Sequence, residues 1–229
     1  MPEPKKSTAV VLASGGMDSC VSIALACRSH DPALLHVMYG QRTEHRELMA
    51  FHAVADYYGI DRRLVIEMSH LSQIGGSALT DANIDVPKPG GAEGEIPVTY
   101  VPFRNAHLLC CAVSWAEVIG AVAVYIGAVE EDSSGYPDCR ESFYQAFQST
   151  VDTGTKTDRQ IEIVRPLIDK TKSEIVQIGD GIGAPLGLTW SCYRSETEAC
   201  GECDSCFLRW RGFLKAGVVD LIPYAKTPI

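Results

Sequence analysis

Thr8-Ala9-Val10-Val11-Leu12-Ala13-Ser14-Gly15-Gly16-Met17-Asp18-Ser19 decides the reading of this chain. Thr8 to Ala13 is an apolar run with β-branched residues and no polar alternation, the pattern of a strand buried on both faces. Two glycines break it, and Asp18 to Ser29 reads as a helix. A strand that turns through Ser-Gly-Gly-x-Asp-Ser into a helix lets backbone N–H groups converge on an anion, while the helix dipole adds positive potential. This is not a Walker A loop, because no Gly-Lys-Ser/Thr follows, and the Gly-x-Gly-x-x-Gly of dinucleotide folds is missing. The Ser14 and Ser19 hydroxyls are candidate hydrogen-bond donors to a phosphate, and Asp18 is a candidate ligand for a magnesium ion bridging phosphates. For the two glycines alone, a plain turn is an equal reading.

Beyond Ser29 the alternation continues. Ala33 to Tyr39 reads as a strand, Thr43 to Tyr58 as an amphipathic helix ending at Gly59, and Arg62 to Met68 as a third strand. Ser69 to Pro97, rich in glycine and proline and without a sustained period, reads as a mobile loop or lid. The rhythm resumes with a helix from Asn105 to Ile119, a strand from Ala121 to Gly127, a polar loop from Glu130 to Arg140, a helix from Glu141 to Val151 and a strand near Ile161 to Val164. Thr171-Lys172-Ser173-Glu174 has the form of a capping box opening another helix. The fold expected is α/β, a doubly wound and mostly parallel sheet with its ligand at the strand C-termini.

The 229 residues are 46% hydrophobic and 21% charged, enough for a full core in one principal unit. Residues 1–185 are expected to form the α/β part and 186–229 a small C-terminal helical lobe packed on it. The start of the chain lacks the apolar run of a signal peptide, and no apolar stretch is long enough to span a bilayer, so a cytoplasmic protein without membrane contact is expected. The net charge of −9 disfavours nucleic acid, whose binding rests on lysine and arginine neutralising phosphates, and favours a small-molecule substrate.

Among the nine cysteines, Cys192, Cys200, Cys203 and Cys206 follow the spacing Cys-x7-Cys-x2-Cys-x2-Cys. Four thiolates this close can surround one tetrahedral zinc and leave no open position, which describes a structural site with one ion per chain. Gly201 relieves the turn, and the helix that follows favours thiolates at its N-terminus. An iron-sulfur cluster is the rival, since Cys-x2-Cys-x2-Cys also occurs in ferredoxins. Cys20, Cys27, Cys110, Cys111 and Cys139 read as ordinary thiols.

The Ser14 to Ser19 string after a first strand resembles the signature of the PP-loop ATP pyrophosphatases, which implies ATP use. Together with Val101-Pro102-Phe103-Arg104-Asn105, Tyr136-Pro137-Asp138-Cys139-Arg140, Thr189-Trp190-Ser191-Cys192-Tyr193 and Cys200-Gly201-Glu202-Cys203-Asp204-Ser205-Cys206, the chain from about residue 8 to Tyr224 resembles the 7-cyano-7-deazaguanine synthase family. That resemblance implies a ligase that turns the carboxylate of 7-carboxy-7-deazaguanine into a nitrile with ammonia and ATP, through an adenylated acid and an adenylated amide, on the route to queuosine or archaeosine. It also implies a homodimer, ATP with magnesium as co-substrate and a structural zinc.

The ATP-binding stretch is expected to comprise Leu12, Ala13, Ser14, Gly15, Gly16, Met17, Asp18, Ser19, Cys20, Val21 and Ser22. Arg104 and Lys172 are candidates to hold the transferring phosphoryl group, beside Asp18. Asp132 and Asp138 are candidates to read the amidine edge of the deazaguanine or to hold magnesium. Arg140 is a candidate fork for the substrate carboxylate. Two alternatives stand beside this one: another PP-loop amide ligase or tRNA-modifying enzyme, and a zinc-stabilised module that senses ATP without turnover.

Overall fold

The computed structural model describes residues 6–88, 96–130, 135–156 and 160–228. Five strands, β1 (Thr8–Leu12), β2 (Asp31–Met38), β3 (Arg63–Glu67), β4 (Ala123–Tyr125) and β5 (Glu162–Val164), form one sheet in the order β3-β2-β1-β4-β5. Every pairing is parallel. The two-residue side-chain period sends Val10 and Leu12 into one cluster with Leu35, Val124 and Leu109, and Ala9, Val11 and Ala13 into the other with Leu34 and Phe51. Both faces of β1 are therefore buried, which is why its sequence shows no polar alternation.

Helices cover both faces. α1 (Met17–Ser29) and α2 (Glu44–Tyr57) supply Cys20, Ile23 and Phe51 to one cluster. The short α3 (His70–Ile74), with α4 (Arg104–Ile119) and α5 (Glu141–Gly154), supplies Leu71, Leu109 and Tyr144 to the other. The strand order reverses between β1 and β4, which opens a crevice at their C-terminal ends. The expected doubly wound parallel sheet is the observed one, with element ends displaced by one to a few residues. Among the described residues no helix is long and apolar enough to cross a membrane.

Residues 69–88 differ from the expected loose loop. Ser77, Ala78, Leu79 and Val86 are buried. The Arg42 guanidinium donates to the carbonyls of Ala78, Asp81 and Ile84, and Arg194 donates to that of Val86. Charged donors on backbone carbonyls anchor this stretch, and such contacts leave no hydrophobic period in the sequence. Residues 89–95 lie outside the described part of the chain.

The capping box is present: Thr171 Oγ1 accepts the Glu174 N–H, and the Glu174 carboxylate accepts the Thr171 N–H at 2.8 Å, opening α6 (Lys172–Gly181). α7 (Asp204–Ala216) packs on α6 so closely that a Cβ on Gly212 would lie 2.9 Å from Lys172 Cβ. Buried Arg209 on α7 forms a two-pronged ion pair with Asp220, at 2.8 and 2.9 Å, and donates to Thr189 Oγ1 at 2.7 Å and the Leu186 carbonyl at 3.1 Å. One guanidinium thus joins the helix, the chain leading to Trp190 and the C-terminal segment. Arg209→Leu leaves Asp220 buried with its charge unpaired, and it is expected to destabilise the fold by about 3–5 kcal/mol, read as a lower urea midpoint with an unchanged slope.

Candidate ATP site and metal centre

The turn after β1 is built around a glycine with positive φ. Gly15 has φ +85°, and a Cβ there would sit 2.4 Å from the Glu47 carbonyl oxygen. Its own carbonyl accepts the Trp190 N–H at 2.9 Å. Ser14 Oγ accepts the Gly16 N–H at 3.2 Å, and Ser19 Oγ donates to the Gly16 carbonyl at 2.9 Å. Both hydroxyls therefore brace the loop. Gly16 is the N-cap of α1 and offers no side chain to the first-turn amides, which leaves them to an anion. A second close approach comes from Gly127, just beyond β4, where a Cβ would lie 2.8 Å from the Asp18 backbone carbon.

A cavity of about 300 Å³ opens over this loop. Leu12, Ala13, Ser14, Gly16, Met17, Asp18 and Ser19 line it from the loop, Arg104 from α4 and Lys172 from α6. Lys172 Nζ meets Asp18 Oδ2 at 2.6 Å, while Asp18 Oδ1 is buried with no hydrogen-bond partner among the described residues. Arg104 lies with its guanidinium carbon 5.7 Å from the Tyr39 ring centre and donates to the Tyr39 hydroxyl at 3.2 Å. Asp18, Arg104 and Lys172, from three separate stretches of sequence, thus share one cavity.

Four of the eleven residues expected around the nucleotide do not line it. Cys20, Val21 and Ser22 are buried, because the first two turns of α1 pack them into the core, and Gly15 contributes backbone geometry. Asp138 is buried too and does not line the cavity, although Asn105 and Cys139 beside it do: its Oδ2 accepts the Asn105 N–H at 2.9 Å near the start of α4, its carbonyl accepts the Asn105 side-chain amide, and its Oδ1 has no hydrogen-bond partner among the described residues. Burial pushes its carboxyl above the usual range, partly offset by the Asn105 bond. Arg140 is exposed at the N-cap of α5 and does not line the cavity, so the fork expected for a substrate carboxylate is not assembled there. Asp132 lies outside the described residues.

Sequence reading missed three features. Glu47 lines the cavity, although in sequence it is one acidic residue of an amphipathic helix, indistinguishable from the neighbouring Glu44. Phe103 has φ 57°, alone in this region among the described non-glycine residues, and such a conformation costs about 1–3 kcal/mol. It precedes Arg104 directly, and its N–H donates to the Tyr100 hydroxyl at 2.8 Å. Nothing in Val-Pro-Phe-Arg-Asn signals that φ. Gly127 reads as the end of a strand and gives no hint of its contact with Asp18.

The four cysteines expected to bind metal converge. The sulfurs of Cys192, Cys200, Cys203 and Cys206 all lie within 4.8 Å of one another, and those of Cys200 and Cys206 are 3.9 Å apart. Zn–S bonds of about 2.3 Å in a tetrahedron require sulfur separations of about 3.8 Å. Cys192 Sγ accepts N–H groups from Arg194 and Cys200 at 3.3 Å, and Cys200 Sγ accepts that of Glu202, bonds that favour thiolates. The donor set fits a metal ion such as zinc. A Cβ on Gly201 would lie 1.8 Å from the Lys226 carbonyl oxygen, so the C-terminal segment crosses directly over the knuckle.

A parallel sheet whose first strand feeds a glycine turn, a helix N-terminus and converging cationic side chains defines the class: a PP-loop enzyme of the ATP-using kind. The family model for "Queuosine biosynthesis protein QueC" matches residues 8–217, and the chain belongs to that family. Its curated relatives include the 7-cyano-7-deazaguanine synthases of Acidobacterium capsulatum, 57% identical over 97% of this chain and 98% of that protein, and of Koribacter versatilis, 60% identical over 95% and 93%. Among solved structures, NMN synthetase from Francisella tularensis has the same fold, with a TM-score of 0.50 and 14% identity over 94% of this chain and 79% of that one.

Gly15→Ala is expected to destabilise the protein by more than about 1 kcal/mol, a melting temperature lower by at least 2–4 °C, and to abolish ATP binding in calorimetry. Stripping the metal with a strong chelator is expected to release about one zinc per chain from a colourless protein and to lower the melting temperature. A visible absorption band would identify an iron-sulfur cluster instead.

Proposed function

We propose that this chain converts 7-carboxy-7-deazaguanine, ammonia and ATP into 7-cyano-7-deazaguanine. The observation that carries this reading is the convergence of the PP-loop, Arg104 and Lys172 on one cavity in a chain of this family. The substrate carboxylate attacks the α-phosphorus of ATP and pyrophosphate leaves. Ammonia then displaces AMP from the acyl adenylate to give the amide. The amide oxygen attacks the α-phosphorus of a second ATP, expelling pyrophosphate as one N–H proton is lost, and departure of AMP with the second proton leaves the nitrile.

Each adenylation joins two negatively charged or electron-rich groups, so the barrier falls when cations and N–H dipoles stand on the transferring phosphoryl group. The first-turn amides of α1 supply dipoles. Arg104, stacked on Tyr39, and Lys172, held by Asp18, supply charge from fixed positions. Asp18 would hold the magnesium ion that accompanies ATP, and its buried, unpartnered Oδ1 suits that role. Magnesium would neutralise part of the triphosphate charge.

Zinc bound by the four cysteines is proposed as a structural staple. Residues 186–229 then form a lobe that closes the cavity, since Trp190, Tyr193, Ser205 and Arg209 all line it. A cytoplasmic homodimer that consumes free or partner-delivered ammonia completes the proposal.

Incubation with ATP, ammonia and 7-carboxy-7-deazaguanine tests the reading. Two AMP and two pyrophosphate per nitrile are expected; ATP binding without turnover would point to a sensing module instead. Lys172→Ala and Arg104→Ala are each expected to lower kcat about 10²–10³-fold while the circular dichroism spectrum is retained.

A further inference from the structure

Guanine-type rings carry two adjacent N–H donors, N1–H and the 2-amino group, and the natural partner of such an edge is a carboxylate presenting two oxygens. The carboxylates lining the cavity among the described residues are Asp18, Glu47 and Asp204. Asp18 is bound to Lys172 at the phosphate loop. Asp204 follows Cys203 directly, at the start of α7 beside the metal knuckle. Glu47 lines the cavity from α2.

Its carboxylate is held at both oxygens. Gln41 Nε2 donates to Oε2 at 3.0 Å, and Thr43 Oγ1 donates to Oε1 at 3.0 Å. Both holders are buried, Gln41 at 5% and Thr43 at 2% exposure. Gln41 is fixed in turn, its Oε1 accepting the Tyr39 N–H at 2.9 Å. Each carboxylate oxygen has a second lone pair, so two acceptor sites remain after these bonds. A side chain locked by two buried neutral donors, with unused acceptor capacity at a cavity surface, has the form of a recognition group.

Charge narrows what it can recognise. A carboxylate accepts N–H donors and offers no donor to a triphosphate oxygen. Burial pushes the Glu47 carboxyl up to about 7, against the bonds from Gln41 and Thr43 and the charge of Arg104, so added donors from a ligand are favourable there. The Glu47 main chain also abuts Gly15, which keeps a ring held by this residue next to the phosphate loop.

We infer that Glu47, oriented by Gln41 and Thr43, is the specificity-determining carboxylate that accepts the N1–H and 2-amino donors of the deazaguanine ring. This rests on the proposed function and gives Glu47 the task first expected of Asp132 or Asp138. With the ring on Glu47, its carboxyl substituent is left to meet ATP over the loop.

The test compares 7-carboxy-7-deazaguanine with the analogue lacking the 2-amino group, in the wild-type enzyme and in Glu47→Gln. The wild type is expected to prefer the amino substrate by at least about 10²-fold in kcat/KM, because the analogue leaves a buried acceptor unpaired. Glu47→Gln is expected to raise KM for the amino substrate at least tenfold, to shrink the preference below tenfold and to leave KM for ATP within threefold. Glu47→Asp, which keeps the charge but withdraws it by one methylene, is expected to shift KM and preference in the same direction and serves if Glu47→Gln does not fold. A folded variant of either kind with wild-type KM and preference contradicts the inference alone. A wild-type enzyme that turns over neither compound contradicts the proposed function and the inference with it.

Discussion

The Gly15 peptide is gripped from two sides, and the arrangement of the site depends on that grip. Its α-carbon faces the Glu47 carbonyl with no room for a Cβ, and its carbonyl oxygen accepts the Trp190 N–H. The first contact ties the loop to α2 and the second ties it to the chain that leads into the four cysteines. A loop that binds phosphate through backbone amides has no side chain to adjust, so its geometry must be imposed from outside. Here the imposition comes from elements that also line the cavity. Trp190 is placed by a chain that runs two residues further to Cys192, and Arg209 fixes the preceding turn through Thr189 and Leu186. The four-cysteine knuckle and the buried Arg209–Asp220 pair are thus joined to the glycine loop over a short covalent path.

Charge and hydrogen-bond donors are concentrated in one cavity. Arg104, Lys172 and the N-terminus of α1 make it attractive to anions, and Glu47, within the field of Arg104, adds an acceptor for N–H donors. Under the proposed function the cations and N–H dipoles hold the triphosphate and the carboxylate holds the base. The Lys172–Asp18 pair keeps the lysine extended over the loop, which removes a rotamer cost at the moment of binding. Phe103 stores strain immediately before Arg104, where a relaxed backbone would aim the guanidinium elsewhere.

Much of this was legible in sequence, and the failures have physical causes. The Thr8 to Ala13 run announced a strand buried on both faces, and Ser14 to Ser19 announced the turn, because both signals are local. The four cysteines were legible because metal spacing is a short-range pattern. Asp138 was expected at the ligand because it follows a strand in a polar loop, and its burial against Asn105 at the start of α4 left no local signal in the sequence. Residues 69–88 looked loose because Arg42 and Arg194 hold them through backbone carbonyls, which any residue type supplies. Glu47 was invisible because its distinction from Glu44 arises only when α2 is laid beside the loop after β2.

The central claim is that the loop positions ATP for attack on its α-phosphorus by an oxygen of the substrate. The most direct measurement uses 7-carboxy-7-deazaguanine with both carboxylate oxygens labelled with oxygen-18, followed by mass spectrometry of the products. The account predicts one labelled oxygen in each of the two AMP molecules released and none in pyrophosphate. Label in pyrophosphate or inorganic phosphate would place the attack at another phosphorus, and label released only to water would remove adenylation from the reaction altogether.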